Sequence, residues 1–144
     1  MDAIARRLLF RIGAMGFCLN LNELVEIREQ VAGRIDCTQS DHQLSIIGAL
    51  SFRQTMVPVV DLTRRLGISS DAPDIVLLLN SRAGNWGLLV DRVEGFFPSA
   101  EMIDRPVPCL LQADGWRCFN QIALHAEEPF LRLDLSSCYD GGKG

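Results

Sequence analysis

Three aspartates stand where a carboxylate is conspicuous: Asp61 ends the apolar run MVPVV, Asp134 ends FLRL, and Asp91 interrupts WGLLV and RVEGFF. Carboxylates at strand ends are the raw material of general acid and base catalysis, provided that they converge beside a nucleophile or base. A second reactive set is Cys18, Cys37, Cys109, Cys118 and Cys138, which as thiolates would be nucleophiles or metal ligands. Neither set has the companions it needs. The cysteines are odd in number, form no C-x-x-C pair and sit mostly inside apolar strand patterns, so they read as buried reduced thiols. His42 and His125 are neither four residues apart nor near a cysteine pair, so no metal and no cofactor is expected.

The aspartates have a simpler account than catalysis. Asp61 precedes LTRRLG, where a carboxylate accepts hydrogen bonds from the free amides of a starting helical turn that Gly67 then closes. Asp134 precedes LSSCY in the same manner. No nucleotide-binding glycine loop, H-E-x-x-H or G-x-S-x-G occurs in the chain, so an enzyme is not indicated.

Whatever the chain does, 144 residues at 48% hydrophobic allow one domain with a sizeable core or two small barrels sharing an interface. Lys and Arg number 14 against 18 Asp and Glu, and the resulting charge of −4 repels nucleic acid and anionic membrane. The N-terminal MDAIARRLLFRIG has too few apolar residues together for a signal peptide, and IVLLLNS falls far short of a membrane span. A soluble, cytoplasmic protein without membrane insertion is expected.

Apolar and β-branched runs punctuated by Gly, Asn and Pro every eight to twelve residues or so indicate an all-β sandwich or barrel. Strands are expected at RLLFRIGA, FCLNL, VEIREQV, SIIGALSF, MVPVVDL, DIVLLLNS, WGLLVDRVEGFF, WRCFNQIAL and FLRLDL, with hairpin turns at GAMG and RAGN. The polar stretch GRIDCTQSDHQL, 33–44, is expected to be a mobile loop. A weak repeat runs through the chain. Adding 68 to Gly16, Glu23, Val25 and Glu26 gives Gly84, Asp91, Val93 and Glu94, and VVDL at Val59–Leu62 returns as RLDL at Arg132–Leu135 with an offset of 73. A period of about 70 residues suits a pair of small closed barrels.

In order and interval, LLFRIG, FCLNLNELVEIRE, IIGALSFRQTMVPVVDLTRRLG, VLLLNSRAGNWGLLVDRVEGF, PVP and LRLDLS resemble the CheW-like family, the coupling proteins of bacterial chemosensory arrays. The resemblance implies a single CheW-like domain over 1–144, all-β, of two SH3-like five-stranded barrels related by a pseudo-twofold axis, with short helical turns. The two barrel subdomains, about 8–70 and 74–136, would be interleaved along the chain. It further implies a stand-alone chemotaxis adaptor that bridges the cytoplasmic tip of methyl-accepting chemoreceptors and the regulatory domain of the chemotaxis histidine kinase. Receptor helices would lie in an apolar groove between the barrels. The partner surface carried over by position is Leu24, Glu26 and Arg28 in ELVEIR, with Gly48, Arg53, Val57, Leu89 and Val93. Gly48 would allow close backbone approach, and Arg53 would pair with a partner carboxylate. Val57, Leu89 and Val93 are groove walls or core.

Where the family has glycine after that arginine this chain has Gln54, a residue that does not take positive φ without cost. Two other classes compete with the adaptor. A nucleic-acid-binding small barrel is supported only by Arg6-Arg7 and Arg64-Arg65, and it lacks the aromatics interleaved with basic residues that base stacking needs. A thiol or carboxylate enzyme rests on the cysteines and strand-end aspartates alone.

Overall fold

The computed structural model describes residues 5–41, 45–81, 84–107 and 119–134. His42, Cys109, Cys118, Cys138, the first half of the RAGN turn, the start of WRCFNQIAL and the segment that Asp134 would cap lie outside them. Among the described residues, eleven strands form two sheets, joined by short helical turns. In chain order they are β1 (Arg6–Ile12), β2 (Met15–Asn20), β3 (Leu24–Glu29), β4 (Ile46–Phe52), β5 (Thr55–Val60), β6 (Ile75–Ser81), β7 (Gly84–Val90), β8 (Arg92–Pro98), β9 (Met102–Pro106), β10 (Phe119–His125) and β11 (Glu128–Leu133). One helical turn, α1 (Thr63–Leu66), follows β5.

The six-stranded sheet runs β8-β1-β2-β11-β10-β9 and the five-stranded sheet runs β3-β6-β7-β5-β4. Exchanging the half-chains turns one order into the other: β6 takes the place of β1, β7 of β2, β3 of β8, β5 of β11 and β4 of β10. The parallel contact of β2 with β11 is likewise matched by that of β7 with β5. This is the pseudo-twofold pair of SH3-like barrels, with β9 added to one of them. Neither sheet is built from one half-chain, because β3 leaves its hairpin to pair with β6 while β8 leaves β7 to pair with β1.

That crossing corrects the single strand expected over WGLLVDRVEGFF. The chain breaks at Asp91, whose Oδ1 accepts from the Asp71 amide at 3.0 Å and whose Oδ2 accepts from the Gly13 amide. Strand β9 was not expected, since only Met102 of its five residues is buried and no apolar alternation announces it. The 33–44 segment is not wholly a free loop: Asp36 and Ala49 exchange backbone hydrogen bonds of 2.8 and 3.1 Å, and Asp41 and Ile46 exchange two more.

Alternation along each strand sorts the core. Leu8, Phe10, Ile12, Phe17 and Leu19 of one sheet face Leu77, Leu79, Trp86, Leu88 and Val90 of the other, forming one shared cluster. The opposite faces fill each barrel separately, with Val57, Val59, Val76, Leu78 and Leu89 in one and Leu9, Cys18, Ala123 and Phe130 in the other. The expected apolar groove between the barrels is thus occupied at its centre by the chain's own side chains, with Trp86 fully buried there. The strands at the centre of the sheets, β1, β2, β6 and β7, bury one face in their own barrel and the other in the shared cluster.

Candidate functional site

The β4–β5 hairpin turns through Arg53 at φ 50° and Gln54 at φ 65°, after the last pair Phe52 with Thr55. Two successive positive φ values are the geometry whose twist suits a two-residue hairpin. Gln54 therefore adopts the conformation expected to be costly for it, held there by the flanking ladder. The strain of a side chain in this region is about 1–2 kcal/mol per residue. Gln54→Gly is accordingly expected to raise the unfolding free energy by about 1 kcal/mol, with no change in the denaturant m-value.

At the tip of this hairpin the expected residues partly converge. Phe52 is 3% exposed, yet the Arg53 guanidinium carbon lies 4.7 Å from its ring centroid and that of Arg28 lies 5.3 Å from it. Arg28 also pairs with Glu26, two residues back and hence on the same face of β3. Strand β3 is an edge strand of its sheet, so Glu26, Arg28 and Arg53 meet at one end of the five-stranded barrel. Leu24 starts the same strand, half-buried against the shared core.

The remaining expected residues lie elsewhere. Val57 and Leu89 are buried inside the five-stranded barrel. Val93 belongs to β8 of the other sheet, where it pairs with Phe10 and packs half-buried on the shared core. Gly48 does permit a close approach, but the approaching backbone is the chain's own. A Cβ there would stand 2.6 Å from the Asp36 carbonyl oxygen and 2.7 Å from Ile35 Cγ2.

The groups that suggested chemistry hold the fold together. Asp61 Oδ1 accepts from the Thr63 amide at 2.9 Å and the Thr63 hydroxyl at 2.7 Å, and α1 closes on Gly67 at φ 68°. Asp61 and Asp91 thus both accept from backbone amides. Burial pushes the Cys18 thiol up to about 11, so it is protonated at neutral pH and a poor nucleophile. Among the described residues, no group of three or more His, Cys, Asp or Glu is placed to hold a metal. No helix among them is long and apolar enough to cross a membrane.

Sequence reasoning missed two features. One is Phe52, whose only signal was an aromatic directly before Arg53 in a strand. The other is a polar network within the six-stranded barrel. Arg7, 6% exposed, donates to both oxygens of Asp104 at 2.7 and 2.8 Å, while Arg132 donates to Gln121 at 2.8 Å and Asn20 at 3.3 Å. A cleft of about 600 Å³ opens beside Arg7 and Arg132, away from the Arg28–Arg53 cluster. Arg7 and Asp104 are 97 positions apart, a separation no local pattern encodes.

Comparison with known proteins agrees with this architecture. The CheW-like domain pattern matches residues 6–136. A probable chemotaxis protein CheW of Rhizobium etli is 31% identical over 103 residues, 69% of this chain and 64% of that protein. The chemotaxis protein CheW of Rhizobium meliloti is 28% identical over the same extents, so the matched stretch spans less than two thirds of either relative's own length. The crystal structure of the scaffolding protein TtCheW from Thermoanaerobacter tengcongensis superimposes with a TM-score of 0.79 at 18% identity, covering 99% of this chain and 94% of that one. At that identity the likeness speaks to the fold, and the match over 6–136 speaks to descent: the chain belongs to the CheW-like domain family.

Proposed function

We propose that this protein is a non-enzymatic, cytoplasmic adaptor that couples the cytoplasmic tips of methyl-accepting chemoreceptors to the regulatory domain of a chemotaxis histidine kinase. The observation that carries this reading is the placing of Arg28 and Arg53 over Phe52, with Glu26 paired to Arg28, in a chain of a family whose relatives bear chemotaxis names. Such a cluster offers charge and shape to another protein but no nucleophile, base or cofactor. Because the shared core fills the middle of the space between the sheets, a partner helix would meet the outer surface at β3 and the β4–β5 hairpin. Leu24 would lie beside that contact, whereas Gly48, Val57 and Leu89 would support it from within and Val93 would lie beyond it.

The nucleic-acid alternative gains nothing from the aromatic residues. Phe10, Phe17, Phe52, Phe119 and Phe130 are buried, Phe97 is half-buried, Phe96 is the one exposed phenylalanine among the described residues and cannot by itself form a stacking platform, and the net charge is −4.

The deciding experiment is a pull-down of the full chain with two separate baits, a soluble receptor signalling-tip fragment and the kinase regulatory domain. Retention by at least one at tens of micromolar is the expected result. Retention by neither at that concentration removes the adaptor reading.

A further inference from the structure

We propose that Phe52 is a positioning residue, whose ring holds the Arg28 and Arg53 guanidiniums together as a two-cation clamp for an acidic side chain of a protein partner. This deepens the adaptor reading and rests on it.

Arg53 sits at a hairpin tip and is exposed, where a long side chain ordinarily samples many rotamers. Among the described residues its side chain has no ion pair or hydrogen bond, and the contact that orders it is the Phe52 ring at 4.7 Å. That ring is itself fixed, because it packs with Leu50, Val57, Val59 and Leu78 inside the barrel. Arg28 reaches the same ring from β3, and its pairing with Glu26 uses only part of its five-donor fork.

A guanidinium laid over an aromatic face keeps its N–H edge free, and that edge is what grips a carboxylate with two parallel hydrogen bonds. Glu26 already occupies Arg28 in part, so Arg53 supplies the vacant fork and Arg28 the second charge. Two guanidinium carbons at 4.7 and 5.3 Å from one ring centroid stand no more than about 10 Å apart, so their charges repel one another and a carboxylate arriving between them relieves that repulsion. The clamp therefore selects an anionic group. A leucine at position 52 would fill much of the same core volume but offer no π face.

The test compares wild type with Phe52→Leu, Phe52→Met and Phe52→Tyr, each first shown to be folded by circular dichroism. In the free proteins, 15Nε relaxation of the Arg28 and Arg53 side chains is expected to show order in wild type and Phe52→Tyr, and fast motion in Phe52→Leu and Phe52→Met. Titration with the receptor-tip fragment and with the kinase regulatory domain follows. Phe52→Leu is expected to weaken binding of the partner that engages Arg53 by about two- to fivefold, the scale of a cation–π contact at an exposed site. Phe52→Tyr should restore that binding, and the loss should shrink when Arg53 is already alanine. Equal losses in the presence and absence of Arg53, unchanged arginine motion, or wild-type affinity in Phe52→Leu would each overturn the positioning role while leaving the adaptor reading intact. Failure of wild type to bind either partner overturns both.

Discussion

Asp104→Ala is expected to lower the unfolding free energy by at most about 3–5 kcal/mol, the usual cost of stranding a buried charge by removing its partner. Asp104 accepts both terminal nitrogens of Arg7, and the guanidinium that would be stranded is 6% exposed. Among the described residues the Arg7 Nε already has no hydrogen-bond partner, and the Met102 sulfur at 3.7 Å is a weak substitute acceptor. With the carboxylate gone, a full charge is left inside the six-stranded barrel. Since domains of this size have about 5–15 kcal/mol in total, the variant should lose a sizeable share of that stability and melt at a clearly lower temperature. Asp104 is partly solvated, its side chain 30% exposed, so the lower half of the range is the better expectation. If the loss comes from a stranded charge, Arg7→Met combined with Asp104→Leu should be more stable than Asp104→Ala alone. A double variant no better than the single one would count against this explanation.

The same pair fixes a pH dependence. The hydrogen bonds from Arg7 hold the Asp104 carboxyl below its usual range. A carboxyl whose folded value is depressed contributes stability that is fully present above its unfolded value, about 4, and is lost as pH falls through the lower folded value. Glu23 opposes it: burial raises its carboxyl, so its charged form costs stability at neutral pH, and that cost disappears as pH falls through the raised folded value. The difference between wild type and Asp104→Asn isolates the Asp104 contribution, which should shrink as pH falls below about 4.

The contrast between what the sequence disclosed and what it hid follows contact distance. Strands β1, β2, β4, β5 and β6 announce themselves because each buries two faces or alternates cleanly, and α1 does so because Asp61 and Gly67 bracket it. The half-repeat of Gly16 with Gly84 and Val25 with Val93 places β2 against β7 and β3 against β8, as the two sheet orders require. Periodicity could not show that β3 and β8 change sheets, because a strand's alternation is the same whichever neighbour it pairs with. For the same reason WGLLVDRVEGFF read as one strand. The site was half legible. Glu26 and Arg28 share a strand face, but their meeting with Arg53 depends on Phe52 closing the barrel end, a contact between residues 24 positions apart in sequence. Val57 and Leu89 were ambiguous because a buried strand residue and a groove wall have the same apolar signature.

Arg53→Glu is expected to weaken binding of the partner that engages this surface by about 30-fold or more while changing folding stability by about 0.5 kcal/mol or less. The two numbers separate because of where the residue sits. Its side chain projects from a hairpin tip into solvent, and both arginine and glutamate must take the positive φ of 50° there, so the backbone strain is common to both. What the substitution loses within the molecule is one exposed cation–π contact, offset in part by attraction of the new carboxylate to Arg28. What it changes across an interface is the sign of the charge facing a partner carboxylate, turning an attraction into a repulsion that costs several times more once water is excluded. Arg53→Lys should fall between, keeping the charge but losing the planar fork. Paired melting and titration curves decide the matter. A melting temperature lowered by many degrees would make Arg53 a part of the fold's framework, and unchanged affinity for both baits would place the partner surface elsewhere on the molecule.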